Sequence, residues 1–249
     1  VALPLRLQSE GNIPAQVCAM VISVHRLGIM GYGQALSLQR SLVAQRRANA
    51  IPDTLLLLQH PAVFTLGRLQ ASRQNVLASE TVIAAAGATI EKSDRGGNVT
   101  FHGPGQLVAY PILDLNGFKR DLRWYVSSLE QVLIQTAAEF CVCARAGESG
   151  ETGVWVGERK LAAIGVHVTR WVTSHGVALN ANVDCSFFDM IVPCGLHDRP
   201  KVTSLTKETG RSVSVCEALP CFETAFSKIF ARELKPSDSL SAQLEPSIE

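Results

Sequence analysis

The chain has 249 residues, of which 47% are hydrophobic and 18% charged, so it is long enough to bury the core of one large domain. Its 23 basic and 22 acidic residues leave a formal net charge of +1, which gives no reason to expect nucleic acid as the main partner. No apolar run approaches the roughly 20 residues that a membrane-spanning helix needs, so no membrane partner is expected. The seven cysteines are scattered without metal-site spacing, which favours free thiols in a reducing compartment.

The pattern of apolar residues and turn residues predicts the regular elements along the chain. Helices are expected at residues 32–49, 79–86, 122–140 and 215–230. Strands are expected at residues 54–59, 88–92, 99–101, 107–112, 153–156, 160–170 and 175–181. Because helices and strands are mixed without regular alternation, the predicted fold class is α+β, a single domain with a mixed sheet.

The two ends of the chain are expected to lie outside this domain. Residues 1–24 lack clear helical periodicity and are interpreted as an N-terminal extension or the remnant of a leader. Residues 236–249 are polar and are interpreted as a tail, which leaves residues 25–235 for the domain itself.

Cys194 is the candidate nucleophile, because it lies between Pro193 and Gly195 after a short apolar run. Proline fixes the backbone before the thiol and glycine permits unusual backbone angles after it. Such a loop can present a thiolate beside open backbone N–H groups. The alternative is a buried structural thiol, which is the more frequent setting for a cysteine.

A cysteine with its ordinary pKa of about 8.5 needs a neighbouring cation to be ionised near neutral pH. Lys160 is the candidate cation, since it follows a turn and enters a strand of small apolar residues. Partial desolvation in such a strand would suit a lysine to act as a base. A solvated lysine at the edge of a strand fits the same pattern.

Residues 95–106 form a glycine-rich segment that has neither Walker-loop nor dinucleotide-loop spacing. Its glycines let the backbone approach a ligand closely, and Arg95 and His102 flank them, so a loop that binds an acyl chain or a phosphate is expected. A tight hairpin is the alternative. Small residues at Gly176 and Ala178 predict a second wall of a groove, although an ordinary strand has the same pattern.

The histidines lack the spacing of a metal site, so no metal is predicted.

Five segments in chain order resemble the lipoyl (octanoyl) transferases. They comprise residues 55–68, 95–110, 152–156 with 160–165, 174–180 and 191–195, and the resemblance extends from about residue 24 to residue 229. It implies a catalytic domain related to the lipoate and biotin protein ligases, with a mixed, largely antiparallel sheet flanked by helices.

The activity that the resemblance implies is transfer of an octanoyl or lipoyl group from acyl carrier protein to a lysine, without a cofactor. The implied acceptors are the lipoyl domains of 2-oxoacid dehydrogenases and the glycine-cleavage H protein. By position, Cys194 matches the acyl-accepting nucleophile and Lys160 the lysine that activates it. The acyl-pocket segments are matched by Arg95, Gly96, Gly97, Asn98, Val99, Thr100, Phe101, His102, Ala163, Ile164, Gly165, Gly176, Val177 and Ala178.

Other functions stay open on the sequence alone. An ATP-dependent lipoate ligase would use the same lysine without the cysteine, and a non-catalytic module would bind acyl carrier protein without turnover. A cysteine hydrolase, which would release free octanoate, is a third alternative. Residues 51–54 and 153–157 resemble plant or algal organellar members, so a plastid stroma or mitochondrial matrix is expected, with the cytoplasm as the alternative.

Overall fold

The computed structural model describes residues 21–148, 152–192 and 201–237. Its helices are α1 (Tyr32–Arg47), α2 (Glu80–Ala85), α3 (Leu122–Ala138), α4 (Leu205–Thr209) and α5 (Val215–Phe230). Its strands are β1 (Val21–Ile29), β2 (Asp53–Gln59), β3 (Val63–Leu66), β4 (Thr89–Lys92), β5 (Thr100–His102), β6 (Gln106–Ile112), β7 (Arg145–Ala146), β8 (Val154–Val156), β9 (Arg159–Thr169), β10 (Val172–Asn180), β11 (Lys201–Val202) and β12 (Glu233–Pro236).

Most of the described strands form one mixed sheet in the order β12-β1-β2-β6-β10-β9-β8-β7, and β11 pairs with β9. Strand β1 is parallel to both of its neighbours, whereas all the pairings from β2 through to β7 are antiparallel. Strands β4, β3 and β5 form a second, small sheet. The predicted α+β class with a mixed, largely antiparallel sheet is confirmed.

Strand β2 is buried on both faces of the large sheet. Its four leucines, Leu55 to Leu58, are each no more than 3% exposed. Because side chains alternate along a strand, Leu55 and Leu57 belong to the core beneath α3 and α5, while Leu56 and Leu58 belong to the core beneath α1. The continuous apolar run is thus explained by helices on both sides of the sheet.

The predicted elements are all present, and their ends differ by at most three residues from those of the structure. The short helix α4 was not predicted, and neither were strands β1, β3, β7, β11 and β12. Strand β1 starts at Val21, inside the segment interpreted as an extension, and β12 reaches Pro236, one residue past the expected end of the domain. These two strands come from opposite ends of the chain and pair in parallel with each other, so no turn next to them in the sequence indicates the pairing. Residues 1–20 and 238–249 lie outside the described residues.

The edge of β9 is what positions the candidate site. Strand β10 pairs with β9 along residues 162–169, and β11 pairs with Arg159 and Lys160. Strand β8 pairs with the opposite edge of β9, so β11 lies on the same edge of β9 as β10.

Among the described helices, none is long and apolar enough to cross a membrane.

Candidate active site

A cleft of about 400 Å³ lies between the glycine-rich segment, strands β9 and β10, and the start of α3. Its volume is in the range of small-molecule sites. The predicted binding residues that line it are Arg95, Gly96, Gly97, Asn98, Val99, Thr100, His102, Ala163, Ile164, Gly165, Gly176, Val177 and Ala178. Three segments that are far apart in sequence therefore surround one cavity.

Phe101 is the predicted binding residue that does not line this cleft. Its side chain is 1% exposed, its ring stacks on that of Phe187 with centroids 4.4 Å apart, and it also packs on Phe64. Because side chains alternate along β5, Thr100 and His102 face the cleft while Phe101 faces the small core behind it. Phe101 supports the wall of the cleft from behind.

The glycine-rich segment is fastened to both sheets. The Arg95 guanidinium donates hydrogen bonds to the carbonyl oxygen of Thr65 at 2.7 Å and to its hydroxyl at 2.9 Å, both in β3. The backbone N–H of Gly96 donates to the carbonyl of Val166 in β9 at 3.1 Å. Arg95 thus holds the loop in place, in addition to lining the cleft.

His175 lines the cleft with an unusual backbone conformation. Its φ is +55°, a left-handed value in the middle of a strand, and its N–H donates to the side-chain oxygen of Gln39 at 2.7 Å. Its Nε2 lies 2.6 Å from Oδ1 of Asp94. Burial lowers the pKa of His175, although the Asp94 carboxylate opposes that shift. Desolvation alone would raise the pKa of Asp94, but the hydrogen bond with His175 and the charge of His175 lower it overall.

Three rings line one side of the cleft, those of Tyr32, His102 and Tyr110, and His60 contacts all three with centroids within 5.9 Å. Burial lowers the pKa of His60 to about 4 and that of His102 well below its ordinary value, so both are neutral at pH 7. Nδ1 of neutral His60 then donates to the carbonyl of Met30 at 2.7 Å, and Nε2 accepts from the Tyr110 hydroxyl at 2.8 Å.

Lys160 lines a small cavity that adjoins the cleft. The lysine is 5% exposed, and its Nζ lies 5.4 Å from the centroid of the Trp155 ring, a distance suited to a cation–π contact. Thr100 and Ala163 border both this cavity and the cleft. The buried lysine expected from the strand pattern is what the structure shows, and the solvated alternative is excluded.

Cys194 lies outside the described residues, as does the whole segment 193–200. The described residues on either side of this segment are fixed by backbone contacts. The N–H of Val192 donates to the carbonyl of Asn75 at 2.7 Å, and Val202 is the strand partner of Lys160. Ile191 and Val202 border one open pocket, so the two ends of the segment lie near each other.

Sequence reasoning missed part of the lining, namely Tyr32, Leu69, Tyr110, Leu122, Val126, Thr152, Val166 and His175. Leu122 and Val126 carried a usable signal, because two apolar residues four apart at the start of a helix share one face. Tyr32 and Tyr110 gave no such signal, since the sequence pattern makes each an ordinary core residue of its own element. Within the described part of the chain, no group of three or more histidine, cysteine, aspartate or glutamate side chains is placed to hold a metal ion.

Comparisons with known proteins give a family and named relatives for this chain. The model of the lipoyl protein ligase A/B catalytic domain family matches residues 31–227. An octanoyltransferase of Solibacter usitatus is 48% identical over 220 residues, which are 88% of this chain and 97% of the relative. The mitochondrial octanoyl-[acyl-carrier-protein]:protein N-octanoyltransferase of Danio rerio is 46% identical over 225 residues, 90% of this chain and 98% of the relative.

Among solved structures, a lipoate-protein ligase A bound with ATP matches with a TM-score of 0.69 at 15% identity, covering 90% of this chain and 92% of that one. At so low an identity, this likeness shows the fold alone.

Proposed function

Because this chain belongs to the lipoyl protein ligase A/B catalytic domain family and its relatives are octanoyltransferases, we propose that it moves an octanoyl group from acyl carrier protein to a protein lysine through a thioester on Cys194. The chain is an enzyme of the acyltransferase class. The proposed acceptors are the lipoyl domains of 2-oxoacid dehydrogenases and the glycine-cleavage H protein. The observation that carries the proposal is Lys160, buried in a cavity that adjoins the cleft and paired with the strand that follows the Cys194 segment.

Chain connectivity supports a thiol close to this lysine. Cys194 follows the described Val192 by two positions, and consecutive Cα atoms are about 3.8 Å apart. The neighbouring Ile191 borders the same pocket as Val202, and Val202 pairs with Lys160. Phe188, in the turn before Ile191, also borders the cavity that contains Lys160.

In the first half of the reaction, the Cys194 thiolate attacks the carbonyl carbon of the carrier thioester. The Lys160 ammonium stabilises this thiolate, and backbone N–H groups of the glycine-rich segment stabilise the developing oxyanion. The bond between the carbonyl carbon and the pantetheine sulfur breaks, and the departing sulfur takes a proton from Lys160. The products are the acyl-enzyme and the carrier thiol.

In the second half, the uncharged amine of the acceptor lysine attacks the acyl-enzyme. Lys160, now neutral, accepts the proton that the amine loses, and the Cys194 thiolate leaves as the amide forms. Both catalytic groups return to their starting states. Conversion of a thioester to an amide is downhill, so this sequence requires no ATP.

The lining of the cleft fits an alkyl chain. Ala163, Ile164, Val177 and Ala178 present small or apolar groups, and the two glycines at 165 and 176 face each other in the β9–β10 pair. Each buried methylene contributes about 0.8 kcal/mol, so chain length is discriminated gradually until the chain meets the end of the cleft.

We propose the mitochondrial matrix as the location of this chain. The Danio rerio relative is mitochondrial, which favours the mitochondrial matrix over the plastid stroma and the cytoplasm for this chain. Fluorescence microscopy of the natural full-length protein with a C-terminal tag tests this, and a signal in plastids or cytoplasm contradicts it.

The direct test is mass spectrometry after incubation with octanoyl-acyl carrier protein. We expect one octanoyl group on the peptide that contains Cys194, and its transfer to a lysine when an apo lipoyl domain is added as a chase. Cys194→Ser should bind the carrier without acylation, while Cys216→Ser, at an exposed cysteine, should react as the wild type does. An adduct on Cys216 or Cys221, or no adduct at all, contradicts the proposal.

The same assay separates the alternative functions. A lipoate ligase would modify the apo domain with lipoate and ATP in the absence of carrier. A binding module would retain the carrier without turnover, and a hydrolase would release octanoate without an acceptor.

The role of Lys160 has its own test. Lys160→Ala is expected to raise the pH midpoint of iodoacetamide labelling at Cys194, because the thiolate loses its neighbouring cation. Peptide mass spectrometry across a pH series measures the midpoint. A labelling profile equal to that of the wild type would remove the lysine from this role.

A further inference from the structure

Two leucine side chains that line the cleft are exposed to solvent. Leu69 is 55% exposed and Leu122 is 48% exposed. Large apolar side chains are mostly buried in folded proteins, and an exposed one beside a cavity gains free energy when a ligand removes it from water. The two leucines are therefore placed to contact an apolar ligand rather than to fill the core.

Backbone hydrogen bonds hold both leucines at the cleft. The N–H of Leu69 donates to the carbonyl of Gly97 at 3.4 Å, and the Leu69 carbonyl accepts from the N–H of Ser72 at 2.9 Å. Leu122 is the first residue of α3, where the Asp121 carboxylate accepts from the next two N–H groups at 2.9 and 3.1 Å. The positions of the two side chains are thus set by the glycine-rich segment and by a capped helix.

The leucines extend an aliphatic wall of the cleft. Val126 lies one turn after Leu122 on the same face of α3 and also lines the cleft. Val177 belongs to the core beneath α3 and α5, and Ile164 and Val166 pack against that core. All three of these strand residues line the cleft as well. This wall is therefore aliphatic, whereas aromatic rings line another side.

Strand β9 leads from Lys160 to the distal end of this wall. Ala163 borders both the Lys160 cavity and the cleft, and Val166 follows it by three positions. At about 3.3 Å per residue, this is about 10 Å along the strand, comparable with the length of an extended octanoyl chain. The N–H of Gly96 donates to the carbonyl of Val166, and the next residue after Gly96 accepts from Leu69. Leu69 thus lies at the distal end.

Helix α3 gives a second, independent measure of the same distance. Glu130 accepts a hydrogen bond from the N–H of Gly153 at 3.4 Å, and a Cβ built on Gly153 would lie 3.4 Å from Nζ of Lys160. The helix therefore comes near the lysine at Glu130. Leu122 precedes Glu130 by eight positions, which is about 12 Å along a helix. Leu122 thus also lies at the end of the cleft that is distant from Lys160.

We propose that Leu69 and Leu122 are specificity-determining residues, which cover the terminal methylenes of the octanoyl chain and so favour it over shorter acyl groups. This inference rests on the proposed function for one point, the orientation of the acyl chain with its carbonyl carbon near Lys160. A butyryl group in that orientation ends before the two leucines. An octanoyl group reaches them and removes their exposed surface from water, which strengthens its binding.

The test compares Leu69→Asn and Leu122→Asn with the wild type on carrier proteins that bear butyryl or octanoyl groups. Asparagine is similar to leucine in shape but presents an amide to the alkyl chain. For each chain length, one measurement is the kcat/KM of transfer to an apo lipoyl domain. The other is the Kd for a carrier in which an amide replaces the thioester and prevents transfer. We expect each variant to lose about tenfold in kcat/KM and in affinity for octanoyl, and less than about twofold for butyryl.

Val82→Asn is the matched control, because Val82 is 51% exposed in α2 and is not among the described residues that line the cleft. It should keep the wild-type ratio of octanoyl to butyryl transfer. Leu69→Met and Leu122→Met keep an apolar side chain at the cleft, so they should retain most of the octanoyl preference. Thermal unfolding followed by circular dichroism verifies that each variant is folded.

The two measurements distinguish the two levels of inference. A wild type that binds the amide carrier but transfers no octanoyl group would refute the proposed function, and the Kd values alone would then decide the role of the leucines. An asparagine variant whose octanoyl and butyryl values change in equal proportion, or not at all, would overturn the role of that leucine. If an asparagine variant does not fold, the alanine variant of the same leucine decides in its place: a selective loss for octanoyl supports the role, and an unselective result overturns it.

Discussion

Gly176 shows how a single missing side chain shapes the cleft. A Cβ at this position would lie 2.2 Å from the carbonyl oxygen of Ala109 and 2.7 Å from Cδ of Pro111 in β6. Gly165 is its strand partner in β9, and both glycines line the cleft. The absence of side chains here therefore serves the packing of β6 against β10 and leaves space for a ligand.

Gly176→Ala is expected to lower the free energy of unfolding by about 1–3 kcal/mol, because the added methyl group overpacks the β6–β10 contact. Gly117→Ala is the control, since no atom lies within 4 Å of a Cβ built there. It should change stability by less than about 1 kcal/mol. Urea unfolding followed by circular dichroism measures both. Equal stability of Gly176→Ala and wild type would mean that the two strands have room to separate at this point.

The direction of the Phe101 side chain follows from the strand pattern alone. Residues 99–101 were predicted to be a strand, and side chains alternate along a strand. Phe101 must then face away from Thr100, so the two could not both line one groove. The resemblance predicted both residues to line the acyl pocket. In the structure, Thr100 lines the cleft and Phe101 lies in the core.

Helix α5 was predicted with the ends that the structure shows, because its signals are local. Ser214 accepts a hydrogen bond from the N–H of Glu217, and the Glu217 carboxylate accepts one from the N–H of Ser214, which is a complete capping box. Its apolar face carries Phe222, Phe226 and Phe230 into the core shared with α3. Local capping and the apolar stripe specify the same helix.

Ser214→Ala is expected to lower the free energy of unfolding by about 1 kcal/mol, because the N–H of Glu217 loses its acceptor at the helix terminus. Glu217→Ala removes the reciprocal bond. The double variant should lose less than the sum of the two single losses, since the two bonds form one motif. Urea unfolding of the three variants measures this coupling, and strictly additive losses would argue against it.

Strands β1, β11 and β12 are among the elements that the sequence did not predict, together with β3, β7 and α4. Strand β11 has two residues, and its partner β9 lies some forty positions earlier in the chain. So short a segment has no periodicity to detect. Its position nevertheless decides that the chain after Cys194 returns directly beside Lys160.

Across the whole molecule, buried histidines make stability depend on pH. Burial lowers the pKa of His60 to about 4, and it also lowers the pKa of His102 and of His175. Each of these rings therefore binds fewer protons in the folded protein than in the unfolded chain over the pH range between its folded and unfolded pKa values. Between the unfolded pKa of about 6.5 and the folded value, the unfolded state binds more protons and is favoured as the pH falls.

The free energy of unfolding should therefore decrease from pH 6.5 to about pH 4, with His60 alone contributing on the order of 3 kcal/mol. The Asp94 contribution, from a lowered pKa, is present above pH 3.8 and is lost below it. Urea unfolding at a series of pH values from 7.5 to 4 measures the slope. His60→Asn should be less stable at pH 7.5 but show a shallower loss, and a wild type with constant stability over this range would contradict the assignment.

By itself, the sequence determined the α+β class, the limits of α5, the main strands of the sheet, and the segments that surround the cleft. Periodicity, caps and motifs are local, and local patterns specify local structure. The sequence also supplied Lys160 and Cys194 as candidates, and the tertiary structure decided that Lys160 is buried beside the cleft.

Only the tertiary structure decided the parallel pairing of β1 with β12, the aromatic lining from Tyr32 and Tyr110, and a line of hydrogen bonds from His102 through Gln106 and Asn180 to Thr203. The physical reason is common to all three. Each joins residues that are distant along the chain, and a buried polar side chain reveals its hydrogen-bond partner only once the surrounding elements have packed.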